Sequence, residues 1–343
     1  MTHYIVRRLL LLPVVAFGAT LLIFIFMQFL SPYQLVSTYV RSPEELRHAD
    51  LDTLVKKYHL DAPFYERYFD WVGNILHGNL GWSATSNDWV AHSIAARFPA
   101  TLELAIYAAI PMALGGIWLG TVAAVNHNRF WDHVTRIFAI IGWSLPTFVF
   151  GLVFLMVFYV WLGWFPPGRL STWATQVVIS PSFHAYTGMY SIDALLNGRL
   201  DVFFNALQHL VGPVITLSYL YWALLLRITR SSMLESLRQD YVRTARAKGL
   251  EESVVIKKHA RRNALIPVAT SVGLMFLGLL AGVIITETVF NYPGIGLLTY
   301  QAAAQLDYPM VLGICLLYAG LLVLVNLVVD IGYALIDPRV SLD

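Results

Sequence analysis

A chain of 343 residues that is 57% hydrophobic, 14% aromatic and 13% charged, with a mean hydropathy of +0.62, lies outside the composition of soluble domains and matches that of an integral membrane protein. Its 23 Lys+Arg against 21 Asp+Glu leave a net charge of +2, so no global field attracts nucleic acid or an acidic partner, and only the distribution of charge informs. The single cysteine, Cys315, sits in an apolar run; this excludes internal disulfides and Cys-based zinc sites and leaves it as a small hydrophobe.

A hydrocarbon core about 30 Å thick calls for roughly 20 apolar residues in a helix. Windows of that size fall at 9–30, 102–125, 137–162, 205–226, 264–286 and 309–329, which predicts an all-α protein with six transmembrane helices. Each window is apolar all round and carries Gly or Pro (Pro111, Gly116, Gly120, Pro146, Pro213, Gly278, Gly282 among them), as membrane helices tolerate where neighbours satisfy the freed backbone. The first resembles a secretory signal, with Arg7 and Arg8 ahead of the apolar stretch, but it is too long and lacks a small-residue cleavage site, so it reads as a retained helix. With the amino terminus in the cytoplasm, fifteen basic residues fall inside and eight outside, in accord with the positive-inside rule, and both termini are expected to be cytoplasmic.

The predicted organisation is an amino terminus and first helix over 1–30, an extracytoplasmic segment over 31–99, and five further helices over 100–343 with a large cytoplasmic loop at 227–263. Within 31–99, the stretches 41–47, 54–60 and 64–76 have helical spacing, and Ser42 with Glu45 has that of a capping box, so the segment is expected to fold as a small helical cap. Outside aromatic residues (Trp164, Phe165, Trp173, Tyr292) suit either membrane-interface anchoring or stacking on a solute. Gly116-x-x-x-Gly120 and Gly278-x-x-x-Gly282 offer close helix packing, a spacing that also arises by chance in membrane helices.

Charge at mid-membrane is costly and usually marks an ion or proton path. Here the centres of the spans are empty: Glu103 and Glu287 fall near the outer ends of the second and fifth, where hydration, a structural hydrogen bond or a place in a translocation path would each account for them. An ion-coupled secondary carrier usually keeps an acid or a broken polar helix at the midplane, so this pattern disfavours that alternative. Nor is there a phosphate-cradling loop, since none of the five lysines (Lys56, Lys57, Lys248, Lys257, Lys258) is followed by Ser or Thr. No hydrolase or metal-ligand spacing occurs, and His127, His133 and His209 read as solvated or packing histidines. The chain is expected to be non-enzymatic, with no cofactor or metal of its own and its energy supplied from elsewhere.

The cytoplasmic loop 227–263 holds ten basic and four acidic residues. Asp240 has the position of a helix cap before Tyr241 to Lys248, and Gly249 can end that helix in the left-handed conformation. A short exposed helix with Tyr241, Val242 and Ala245 among cations suits a groove on a cytoplasmic partner; a basic loop on anionic lipid heads is the other reading.

At this loop, Tyr241-Val-Arg-Thr-Ala-Arg-Ala-Lys-Gly-Leu250 and His259-Ala-Arg-Arg-Asn263 resemble the coupling segment of the B-type permease subunits of dipeptide/oligopeptide ABC importers. The resemblance extends through Tyr4-Ile-Val-Arg-Arg8, His77-Gly-Asn-Leu-Gly-Trp-Ser83, Arg97-Phe-Pro-Ala-Thr-Leu-Glu-Leu104, Arg230-Ser-Ser-Met-Leu-Glu235, Glu287-Thr-Val-Phe-Asn-Tyr-Pro-Gly-Ile-Gly296, Asp307-Tyr-Pro309 and Asp337-Pro-Arg339. Taken together these motifs are specific, while each alone is weak. The resemblance implies a type I ABC importer permease fold, with a second homologous permease, two cytoplasmic ATPases that bind ATP and Mg, and an extracytoplasmic solute-binding protein as partners in a bacterial or archaeal inner membrane. It implies peptide import by alternating access; oligosaccharides, nickel or glutathione are the alternative cargoes within the family. It also assigns ATPase coupling to Tyr241, Arg243, Thr244, Ala245, Arg246 and Gly249. Against the general Glu-Ala-Ala coupling pattern, Ala245 and Gly249 are kept, whereas Arg243 and Thr244 replace the leading Glu-Ala and Arg261-Arg262 the closing Leu-Pro. Arg243, then Arg246, is the candidate for the leading polar contact.

Overall fold

The structure, a computed structural model, describes residues 2–39, 50–280 and 283–336. The predicted helix at 41–47 with its Ser42/Glu45 cap, Gly282 and the Asp337-Pro-Arg339 motif lie outside the described residues. The elements, in chain order, are α1 (Thr2–Met27), α2 (Pro32–Tyr39), α3 (Leu51–Lys57), α4 (Phe64–Leu76), a hairpin pairing β1 (Trp82–Ser83) with β2 (Asp88–Trp89), α5 (Val90–Val125) and α6 (Phe130–Ser144). They continue with α7 (Thr147–Trp161), α8 (Thr172–Ile179), α9 (Tyr190–Leu196), α10 (Leu200–Leu237), α11 (Asp240–Ala247), α12 (Glu252–Leu280), α13 (Ile284–Val289), α14 (Ile295–Ala304) and α15 (Tyr308–Ile336).

Among the described residues, α5, α10, α12 and the Tyr308–Leu327 part of α15 are long and apolar enough to cross a membrane. The predicted third span is not one straight helix: α6 and α7 pass the same test together but meet at 102°. The cause is local. Pro146 brings no N–H to continue the ladder, and it drives Leu145 into the extended region (φ −84°, ψ 123°), which ends α6. The apolar helix Pro13–Met27 within α1 is shorter than the other spans.

The described residues divide into two compact units, the first within 2–101 and 293–327, the second within 102–292 and 328–336. In the first, Phe24 and Met27 of α1 pack with Leu35 and Tyr39 of α2, Leu54 of α3, and Tyr68 and Trp71 of α4. A further cluster joins Val90 and Ile94 at the start of α5 to Ile295, Leu298, Met310 and Ile314. Two motifs far apart in the chain meet here: the Ser83 hydroxyl donates to the buried Asp307 carboxylate at 2.6 Å, and the Thr85 N–H donates to the same oxygen at 2.9 Å.

The second unit is organised by α10. Its most apolar window is 61% buried, against 22–33% for the other three spans, so it is the internal helix while they keep bare apolar faces. Glycines on α5 set how closely α10 approaches. A Cβ on Gly116 would lie 2.5 Å from Leu225 Cβ, and one on Gly120 would lie 2.5 Å from Thr229 Cβ and 2.9 Å from the Leu226 carbonyl. The Gly116/Gly120 spacing is therefore a packing surface in this chain. Gly120→Leu is expected to destabilise the purified chain by about 1–3 kcal/mol through overpacking. Gly18→Ala, where nothing lies within 4 Å, serves as the control and should stay within about 0.5 kcal/mol. Thermal unfolding in detergent checks this, and equal midpoints for the two variants would contradict the packing role.

Candidate functional site

The segment after α10 folds as a two-sided helix, α11. Along α11, Val242 (0% exposed) and Ala245 (5%) face inward onto Ala124, Met233, Val255, Ala260 and Ala264, while Tyr241, Arg243, Thr244, Arg246 and Lys248 are exposed. The helix starts one residue earlier than predicted. Gln239 is the N-cap, and Asp240 occupies the first turn with no side-chain capping bond, so its carboxylate acts on the positive end of the helix by charge alone. The other end is as expected: Gly249 has φ +75°, its N–H bonds the Arg246 carbonyl at 2.9 Å, and the Leu250 N–H reaches the Ala245 carbonyl at 3.4 Å. This pair of bonds is the Schellman closure.

Two side-chain contacts hold α11 to its neighbours. Ser236 Oγ of α10 donates to the Ala260 carbonyl at 2.8 Å and shares a 2.6 Å hydrogen bond with Tyr241 Oη. Arg246 forms a two-pronged pair with Glu252 (2.7 and 3.0 Å), which raises the guanidinium pKa above its usual value. Arg243, by contrast, is 74% exposed and reaches only Asp240, at 3.5 Å. Of the two cations singled out from the sequence, Arg246 is engaged within the chain and Arg243 is offered outward.

Glu103 lies 1% exposed on α5, at the centre of a polar cluster. It accepts from Arg169 Nη2 (2.7 Å) and Nε (3.1 Å), from the Ser191 N–H (2.7 Å) and hydroxyl (2.6 Å), and from Tyr292 Oη (3.1 Å). Arg169 also donates to the Gly188 carbonyl at 2.6 Å and stands over the Tyr190 ring at 3.8 Å. Burial disfavours the Arg169 charge, but the Glu103 carboxylate more than offsets it and the pKa is raised. Burial, then the Glu103 charge, pushes the Tyr292 hydroxyl well above its usual range, so it stays a donor. Glu287, 0% exposed on α13, joins the same neighbourhood through its backbone carbonyl, which accepts from the Tyr292 N–H at 2.8 Å. Tyr292 is thus fully buried, which removes it from the aromatic residues available to a solute, whereas Trp164 and Trp173 are 53% and 44% exposed.

Other partnerships carried no local sequence signal. Asp132, 0% exposed in the first turn of α6, accepts from Arg230 Nε (2.7 Å) and Nη2 (2.8 Å) and from the Asn128 N–H (2.9 Å). His127 accepts from Arg230 at 3.0 Å, and the buried His209 lies between Ser171 Oγ (3.1 Å) and the Pro167 carbonyl (3.0 Å). Among the described residues, no group of three or more His, Cys, Asp or Glu is placed to hold a metal ion.

Residues 116–342 match the model of the family described as "Binding-protein-dependent transport system inner membrane component". The chain is 42% identical over 343 residues to the di/tripeptide transport system permease protein DppB of Pseudomonas aeruginosa, covering 99% of each. It is 44% identical over 283 residues to a probable D,D-dipeptide transport system permease protein DdpB of Escherichia coli, covering 82% of each. To the dipeptide transport system permease protein DppB of Escherichia coli it is 39% identical over 344 residues, covering 99% of each.

The buried ion pair makes a direct prediction. Glu103→Ala leaves Arg169, 9% exposed, without its counter-charge, and should cost about 3–5 kcal/mol. Adding Arg169→Ala should recover part of that loss, so that the double variant costs less than the two single changes together. Thermal unfolding of the three variants measures the coupling, and strict additivity would show that the pair does not act as one unit.

Proposed function

The chain belongs to the inner membrane components of binding-protein-dependent transport systems, and from that premise we propose how its residues carry out transport. It is a permease subunit of an ABC importer for peptides. Six transmembrane helices, with α6 and α7 as one broken span and α1 as the first, give both termini a cytoplasmic position. The subunit forms half of the translocation path beside a second homologous permease. ATP and Mg are bound by two cytoplasmic ATPases, and a peptide-loaded solute-binding protein docks on an extracytoplasmic cap that includes α2, α3 and α4.

The observation that carries the coupling reading is the two-sidedness of α11. Its inner side is anchored by Val242, Ala245 and the Tyr241–Ser236 bond, and its outer face presents Arg243 and Thr244. A rigidly seated helix with a bare cationic face transmits motion, because a partner that moves it must also move what it is packed on. In this reading ATP binding closes the ATPase pair, α11 moves with its groove, and Met233 and Ser236 pass the shift to α10, exchanging an inward opening for an outward one. Arg243 makes the leading polar contact with the ATPase, and Arg246 keeps the turn after Gly249 in register through Glu252. Glu103 and Glu287 belong to the outer gate. Their burial around Tyr292 supports this, because reopening that side must move a cluster of polar groups as one body.

Gly249→Val puts a β-branched residue at φ +75°, where it is strained by about 1–2 kcal/mol. The expected outcome is peptide uptake reduced about tenfold or more in reconstituted vesicles, with the protein still present in the membrane. Arg243→Glu should act in the same direction, while Arg246→Lys should be milder. Normal uptake and normal peptide-stimulated ATP hydrolysis in the Gly249→Val importer would refute the coupling role of 240–250.

A further inference from the structure

A groove with a cavity volume of about 790 Å³ runs between α6 and the cytoplasmic end of α10. One part of its wall is apolar (Ala139, Ile140, Trp143, Leu226), and the rest carries Arg136, Arg227, Arg230 and Arg238. Arg230 is already committed to Asp132. Arg227 stands 5.4 Å over the Trp143 ring and has no carboxylate partner among the described residues, and Arg136 and Arg238 are likewise exposed without one. Among the described residues, Glu235 is the only acid lining the groove. Three unpaired guanidinium groups against one carboxylate leave a positive recess where the apolar run of α10 gives way to its charged end.

Three features select the ligand. Guanidinium forks match phosphate oxygens in pairs, so the anion is a phosphate or phosphodiester. The apolar wall continues onto the exposed side of α6, where Ile137 (58% exposed) and Ile140 (62%) are bare, so an anion with a hydrocarbon tail fits it. Basic recesses between helices at the cytoplasmic face attract anionic headgroups, and the negative surface potential there favours them further. We propose that this groove binds one anionic phospholipid of the cytoplasmic leaflet, with its phosphate held by Arg136, Arg227 and Arg238 and its first acyl carbons laid along Ile140 and Trp143. The bound headgroup neutralises the cations beside the Asp132–Arg230 pair, which joins α6 to α10. The inference rests on the membrane residence of the chain and not on its cargo.

Native mass spectrometry of the delipidated full chain, titrated with phosphatidylglycerol or phosphatidylcholine, tests this. The expected result is phosphatidylglycerol binding at least tenfold tighter than phosphatidylcholine, with the preference lost in Arg136→Gln/Arg227→Gln/Arg238→Gln. Should that variant not purify, brominated phosphatidylglycerol must quench wild-type tryptophan fluorescence by a share that disappears in Trp143→Phe. Equal binding of the two lipids, an unchanged preference in the arginine variant, or displacement of the lipid by inorganic phosphate alone would overturn the proposal. So would loss of the lipid in the assembled importer, because the groove would then be filled by a partner subunit. None of these readouts depends on peptide transport, so their failure would leave the importer function standing.

Discussion

The burial of α10 is the constraint on which residues 102–292 depend. Hydrocarbon offers no partner to a free amide or a lone charge, so a polar group inside such a protein must find its complement on another helix. Leu200–Leu237 supplies many of these complements. Trp222 Nε1 donates to the Pro111 carbonyl at 2.6 Å, Arg230 pairs with Asp132, and Ser236 reaches the Ala260 carbonyl. Each bond joins α10 to a different element, and the glycines of α5 allow the backbones to come close enough for side-chain packing to add to them. A displacement of α10 is therefore felt at once by α5, α6 and α12.

That arrangement explains why a short surface helix can have a long reach. α11 would be marginal alone, since a helix of two turns does not repay its nucleation in water. It exists because Val242 and Ala245 are buried against α10 and α12 and because the Schellman closure at Gly249 satisfies its last carbonyls. Its outward residues are exposed, and its inward ones pack on Met233 of α10 and Val255 and Ala260 of α12. The Glu103 cluster is the counterpart within the same unit, where five hydrogen bonds converge on one carboxylate from Arg169, Ser191 and Tyr292. A cluster so fully satisfied favours discrete arrangements over gradual deformation.

The features legible in the sequence were those with a local cause. Hydropathy located the four long apolar helices, helical spacing placed Phe64–Leu76, and the glycine at 249 marked the end of α11, because each depends on residues within a few turns. The bend between α6 and α7 was missed because Pro146 also fits a tolerated membrane proline; what decides is the extended conformation of Leu145, which the residue types alone do not dictate. Asp240 as a cap failed by one position, since Gln239 takes the extended backbone instead. The pairs Glu103–Arg169, Asp132–Arg230 and Ser83–Asp307 are separated by 66, 98 and 224 residues, and no spacing rule connects polar partners at such distances. Tyr292 illustrates the same limit: an aromatic residue beside Pro-Gly resembles an interface anchor until the fold lays it against Glu103.

In the proposed reading this permease subunit answers through α11 to cytoplasmic ATPases and through its extracytoplasmic cap to a binding protein. Isolating the chain in mild detergent from its native membrane, identifying what accompanies it, and measuring ATP hydrolysis with peptide-loaded binding protein tests that claim most directly. The expected preparation contains a second permease and two ATPases, with hydrolysis stimulated by the loaded binding protein. A chain that purifies alone and moves solute on an ion gradient would contradict it.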